Sequence, residues 1–290
     1  MARREDRAVA AGLDTKPRGL PRTGPGTLRM AVRYAAANLR AEMQYRSSFL
    51  MDSLGTLLSA GVEFLGIWAL FSRFGSIRGW TLAEVALFYG LVHVVFAVAE
   101  AIGRGFDLFG PLIKEGALDR VLLRPRSTLL QVLGSSLAPK RIGRLLQGSV
   151  VLGWALSALE GGPSPGDVAL LLWAFTGGVA AYFALLMLSA VLSFWTTETL
   201  ELFAIVTHGG VETTQYPIPV FHRALRYLFL FVVPIGSVTY FPVVHVLGRP
   251  DPLGTPVAVA WLAPMAGFIF LALTAVLWQL GVRRYTSTGS

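Results

Sequence analysis

Five long apolar runs dominate the chain: Phe49 to Phe71, Leu82 to Gly103, Ile142 to Ala158, Val168 to Trp195 and Val257 to Val282. At about 1.5 Å of rise per residue each can cross roughly 30 Å of hydrocarbon, the third only just. The expected fold class is therefore all-α, a polytopic membrane protein. A further stretch, Thr199 to Leu247, admits two readings. In one, Thr199 to His222 is a cytosolic amphipathic segment and Ala224 to Leu247 crosses the membrane. In the other, Thr199 to Tyr216 crosses despite Glu201, His208 and Glu212, and Ala224 to Leu247 dips in from outside and returns, broken at Pro234 and Pro242. Two prolines in one apolar run favour a broken element, because each removes a backbone donor and clashes with the preceding turn.

Ahead of the first run, Thr27 to Arg46 places Leu28, Val32, Ala35, Leu39 and Met43 on one side of a helix and Arg29, Arg33 and Arg40 elsewhere around it. Such a helix lies flat on the inner membrane surface with its basic groups near lipid phosphates. Residues 1–26 are basic, carry three prolines and hold no sustained apolar run. They are expected to form a disordered cytosolic tail. Asp14 and Lys16 interrupt the short AVAAGL stretch, so no secretory signal is expected and the first membrane segment is retained.

Composition agrees with the pattern. The chain is 54% hydrophobic and 14% charged, with mean hydropathy +0.59. Soluble domains carry roughly 25% charged residues, so a soluble enzyme is excluded. With no cysteine there is no disulfide framework, thiolate metal site or cysteine nucleophile. The net charge of +8 is explained by where the basic residues lie. With the tail inside, 22 Lys and Arg fall in inner segments against Arg73, Arg78 and Arg249 outside. The second reading of the Thr199 to Leu247 stretch makes this 20 against 5. Either count puts both termini in the cytosol and removes the main reason to expect nucleic acid as a partner.

Few residues offer catalytic chemistry. None of the three lysines, Lys16, Lys114 and Lys140, sits in the Gly-Lys-Ser/Thr context of a phosphate-cradling loop, so ATP hydrolysis by that route needs another chain. Gly162 to Gly166 matches G-x-S-x-G, but Pro163 and Pro165 flank Ser164 in a short outer loop, which reads as a turn. No histidine starts an H-E-x-x-H zinc helix. Ionisable groups inside apolar runs are the stronger signal, since each costs roughly 2.5 to 3.5 kcal/mol at a span centre. Asp52 and Glu63 share one face of the first run, His93 and Glu100 one face of the second, and Glu201, His208 and Glu212 one face of the Thr199 to Leu247 stretch. Glu63, His93, Glu100, Glu201, His208 and Glu212 could line a pathway or relay protons. They could equally bond neighbouring helices.

The inner loop of residues 104–141 interleaves Leu112, Ile113, Leu118, Val121 and Leu122 among charges. It suggests a short amphipathic helix presented to a cytosolic partner, with lipid-surface binding as the alternative. Within it, KEGALDRVLLRPRSTLLQV resembles the permease subunits of ABC-2 type ATP-binding-cassette transporters, in particular the six-span branch described as ABC-2 family transporter protein. MQYRSSFL at Met43 to Leu50, FWTTE at Phe194 to Glu198, and YPIPVF and VVPIGSVTYFPVV between Tyr216 and Val244 are similar to the same family. The resemblance covers nearly all of residues 28–285.

The resemblance implies a single transmembrane domain over residues 27–285: an elbow helix (27–46), six spans (about 49–71, 82–103, 142–158, 168–195, 199–216 and 257–282) and a coupling helix between spans two and three. It also implies a re-entrant element at 224–247, which favours the second reading of the Thr199 to Leu247 stretch. It assigns Arg33, Arg40, Tyr45 and Arg46 to the elbow interface, and Glu115, Gly116, Leu118, Asp119, Arg120, Arg124 and Pro125 to coupling. The face carrying Glu201, His208 and Glu212 matches no motif of the family. The expected function is a permease subunit of an exporter of amphipathic or lipid-like compounds in a bacterial plasma membrane. It would pair with a second ABC-2 permease, identical or related, and be powered by separate ATPase subunits that hold the ATP and Mg, with no cofactor bound by this chain. The rival is a proton-coupled secondary transporter that uses the intramembrane Glu and His residues.

Overall fold

The computed structural model describes residues 46–123, 127–135, 142–159, 161–196 and 200–285, together with Ala36 and Arg40, which are helical. The basic tail, most of the elbow including Arg33 and Tyr45, and the pair Arg124 and Pro125 lie outside the described residues, as do the side chains of Arg46 and Glu201.

The described chain is all-α. Its helices are α1 (Arg46–Phe74), α2 (Leu82–Asp107), α3 (Phe109–Lys114), α4 (Leu118–Leu122), α5 (Thr128–Ser135), α6 (Ile142–Ser157), α7 (Pro165–Leu192), α8 (Leu200–Thr214), α9 (Arg223–Tyr227), α10 (Ile235–Val246) and α11 (Ala258–Arg284). A 3-10 turn at Ile218–Val220 precedes α9, and a π-helical turn at Leu228–Val232 follows it. Four helices, those beginning near Ser47, Leu82, Pro165 and Ala258, are long and apolar enough to cross a membrane, and a fifth is gained if the bent pair around Pro234 counts as one. The third apolar run forms only 16 helical residues, about 24 Å, and α8 only 15, about 22 Å. By length alone neither reaches across a full hydrocarbon core.

Helix α2 is the axis of the bundle, packed against α6, α7, α8 and α10. Of its most apolar window 78% is buried, against 17% for α1, which lies at the edge with Leu54, Leu58, Val62 and Leu65 exposed. Phe88 stacks on Tyr240 of α10, and Phe96 meets Tyr182 of α7 edge-on, with centroids at 6.1 and 5.3 Å. Helices α7 and α11 touch backbone to backbone at Gly177, Gly267 and Pro264. Small residues permit that approach, which in lipid replaces the hydrophobic drive available in water.

Helix starts follow local chemistry. Thr81 and Glu84 form a capping box at the head of α2, and Ser164 and Asp167 form one at α7, with Pro165 in the first turn. Ser164, the serine of the G-x-S-x-G match, is thus a helix cap. Between α1 and α2, Arg78 and Gly79 take positive φ, and Ile77 and Trp80 exchange backbone hydrogen bonds of 3.0 Å, closing a tight hairpin turn.

The bent pair turns through 98° between Val232 and Ile235. Pro234 sits at the break, as expected. Pro242 does not break the chain and lies inside α10, a correction to the expectation of two breaks. Proline is tolerated there because the helix is enclosed by other helices, which relieve the lost backbone donor. Arg78 donates to the Val220 carbonyl at 3.0 Å, and Arg249 pairs with Glu84. Both ends of the bent segment therefore rest against the turn that joins α1 to α2.

Past α10, Asp251 organises the loop into α11. It accepts from Tyr240 at 2.8 Å, from Leu253 N–H at 3.0 Å, from Thr255 N–H at 3.2 Å and from the Thr255 hydroxyl. Burial pushes its carboxyl up, but these hydrogen bonds outweigh burial and hold it below the ordinary carboxylate range. A depressed folded pKa contributes stability above the unfolded value of roughly 3.9 and loses it as pH falls through the folded value. Asp251→Asn is expected to unfold at a lower temperature than the parent at pH 7, with the gap closing as pH drops below about 4. A gap that stays constant with pH would assign the effect to shape and not to charge.

Candidate functional site

The intramembrane polar residues assemble into one seam around α2. His93, 2% exposed, places Nε2 2.8 Å from Gln215 Oε1, just past the end of α8, and 3.7 Å from Glu63 Oε1 of α1. An amide oxygen only accepts, so His93 carries its proton on Nε2. Gln215 Nε2 in turn donates to Glu212 at 2.7 Å. Three helices thus contribute to a chain Glu63–His93–Gln215–Glu212. Below His93, Tyr89 stacks at 4.0 Å, donates to the Ala60 carbonyl at 3.1 Å and accepts from Gln147 of α6 at 3.3 Å. Among the described residues, buried oxygens of Glu63 and Gln147 and Nδ1 of His93 have no hydrogen-bond partner, which calls for water or a ligand there.

Two turns beyond His93 along α2, Glu100 is 3% exposed and meets Arg144 of α6 at 3.4 Å, while the guanidinium lies 5.3 Å over the Phe96 ring. His208 of α8 contacts the same ring edge-on at 6.2 Å. Next to this pair a cleft of about 260 Å³ opens between α2, α7 and α8, with Arg104 and Asp107 paired at 3.1 Å in its wall. Of the residues singled out from the sequence, Glu63, His93 and Glu212 come together, Glu100 and His208 share the cleft, and Asp52 is an exposed residue of α1. Sequence reasoning missed Gln215, Gln147, Tyr89 and Arg144. A glutamine inside an apolar stretch was the available signal for the first two, and Arg144 was read only as an inner-side charge. Among the described residues no three His, Asp or Glu side chains converge closely enough to hold a metal ion.

The second candidate is the segment after α2. The expected single amphipathic helix is two short ones, α3 and α4, separated by the turn Glu115–Ala117. Gly116 causes the break: its φ is +65°, a left-handed conformation that glycine adopts freely, and its N–H donates back to Ile113 at 3.0 Å. Leu118 is fully buried in a cluster with Phe106, Phe109, Ile113, Val132 and Trp278. Phe109 and Trp278 of α11 lie 4.9 Å apart. Asp119 is half-buried and adjoins the far end of α11: burial and this carboxylate both push the Tyr285 phenol up, so the phenol stays protonated. Glu115, Arg120 and Leu123 face outward, Leu123 at 84% exposure. Arg40 is also exposed.

A bundle of long apolar helices around a polar seam, with a short segment seated at one end, defines a multi-pass membrane protein. The model of the family described as ABC-2 family transporter protein matches residues 57–289, and the chain belongs to that family. This family supplies the membrane component of ATP-binding-cassette transporters, typically a non-catalytic permease that works with ATPase partners. No curated protein and no solved structure matches the chain.

Proposed function

We propose that the chain is the permease subunit of an exporter of amphipathic or lipid-like compounds, with ATPase subunits docking on residues 114–123. The seating of that segment carries the reading: Leu118 and Phe109 lock it onto α2 and α11, while Glu115, Arg120, Leu122 and Leu123 stay exposed for a partner. A push on it would move two long helices as one lever, which biases the bundle only if the partner contacts differ between states.

On this reading α6 and α8, each short of a full hydrocarbon core within the described residues, join α1, α2, α7 and α11 as six spans, and α9 with α10 is a re-entrant element on the outer side. Contacts of both its ends with the α1–α2 turn support that placement. Excess Lys and Arg on the other side supports cytosolic termini. The exposed apolar face of α1 is suited to a second permease, with Glu63 and Glu212 facing the shared pathway and not lipid. A tagged chain purified in mild detergent is expected to bring down a cassette ATPase in stoichiometric amount with vanadate-sensitive hydrolysis. Isolation of the chain alone, under conditions that preserve known complexes, would overturn the reading.

The Glu63–His93–Gln215–Glu212 chain favours one other reading, proton-coupled transport. It requires transport that survives ATP depletion and collapses with the proton gradient.

A further inference from the structure

Glu100 is balanced by Arg144, but the two carboxylates of the seam are not balanced in the same way. Glu63 stands 3.7 Å from His93 Nε2, and Glu212 accepts from the Gln215 amide. Among the described residues neither has a Lys or Arg partner. His93 does not supply the missing cation. Its Nε2–H donates to Gln215, and a second proton on the unpartnered Nδ1 would bury a charge with nothing to receive its N–H. Hydrogen bonding is lopsided as well. Glu63 Oε1, His93 Nδ1 and Gln147 Oε1 are all buried acceptors without a donor. Arg144 Nε is an unpartnered buried donor one turn before Gln147, but its guanidinium is already held by Glu100. His93 and Gln147 are 2% and 7% exposed, and α6 meets α2 so closely here that a Cβ at Gly148 would stand 3.0 Å from that of His93. Glu63 is half-buried and Glu212 exposed, so neutral acceptors form the floor and the two charges the mouth.

We propose that the seam binds the protonated amine of a lipophilic substrate, its ammonium between Glu63 and Glu212 beside His93 and its apolar body at the open face of α1. The inference rests on the permease reading and names the charge of its substrate. An ammonium brings both things the seam lacks, positive charge and N–H donors. Ionisable groups placed inside a span mark a substrate path because lipid would otherwise leave them uncompensated. Two carboxylates repel an anionic head, and a neutral head leaves both without a counter-charge, so the seam discriminates against each. Among the described residues no three carboxylate or imidazole groups gather here, which makes a divalent metal ion the poorer occupant.

The test titrates the full chain, purified in mild detergent without ATPase, with three molecules of one shape: adamantylamine, adamantane carboxylate and adamantanol. The amine, an ammonium at neutral pH, is expected to bind at least about tenfold more tightly than either of the others. That comparison needs no variant, so it stands even if a substitution harms folding. Glu63→Gln and Glu212→Gln are each expected to weaken amine binding about tenfold, to the level of the alcohol, with thermal unfolding in the absence of ligand showing that the fold is kept. Equal affinity of the parent for all three molecules would overturn the proposal and leave water or a proton as the occupant of the seam. Undiminished amine binding in both folded variants would overturn it as well, by placing the amine elsewhere. Since no ATPase is present, these outcomes are separate from the co-purification that tests the permease reading.

Discussion

Gly116→Pro is expected to reduce transport at least tenfold while the protein still reaches the membrane. Gly116 holds φ +65°, and proline is fixed near −65°, so the turn between α3 and α4 cannot form with proline in place. The ring also removes the N–H that donates to Ile113. A helix-interior proline costs about 3 kcal/mol or more, and here the loss falls on the turn that seats the five-residue α4. Leu118 would leave its site against Phe109 and Trp278, and the exposed patch would detach from α2 and α11. Gly116→Ala, which strains the same φ by about 1–2 kcal/mol, should fall between parent and proline. Asp119→Arg attacks the contact differently, placing a cation beside the end of α11, where Arg283 and Arg284 already lie. Both variants are measured by ATP hydrolysis and substrate export in reconstituted vesicles. Parent-level export from either would remove residues 114–123 from the coupling role.

The contrast between α2 and the segment after it shows what was legible beforehand. The long apolar runs were legible as candidate spans, but not which of them would be enclosed: 78% of the most apolar window of α2 is buried, against 28% for α11. The caps at Thr81 and Ser164 follow from a hydroxyl residue three positions before an acid, a purely local relation. The kink at Pro234 is local too, whereas Pro242 depends on what encloses it. In the coupling segment, helical spacing of Leu112, Leu118 and Leu122 suggested one helix, but the backbone preference of a single glycine overrode it. The polar seam is the least local feature. His93 meets a glutamine 122 positions later in the chain, and Arg144 meets a glutamate 44 positions earlier. Face-sharing arguments within one helix place His93 and Glu100 together but say nothing of which neighbour completes each, since that depends on how α1, α6 and α8 pack.

Packing between helices also sets the largest stability effect. Gly267→Leu is expected to prevent accumulation of folded protein, because a Cβ at 267 would stand 2.0 Å from the Gly177 carbonyl oxygen. The obstacle is backbone and not the flexible end of a side chain, so α7 and α11 must separate. Ordinary overpacking costs about 1–3 kcal/mol, and this clash exceeds that range because no rotamer avoids it. Gly177→Leu should behave alike, its Cβ falling 2.4 Å from the Pro264 carbonyl oxygen. Gly66→Leu is the informative companion: it lies exposed on α1 with nothing within 4 Å of the new carbon, so the single chain has no reason to unfold. If a second permease covers that face, Gly66→Leu should leave thermal unfolding in detergent unchanged yet weaken recovery of the paired subunit. Loss of folding in Gly66→Leu, or full stability in Gly267→Leu, would contradict the edge position of α1 and the α7–α11 contact respectively. Folding and assembly are thus separable at two glycines, because one is crowded by backbone within the chain and the other looks out from its open edge.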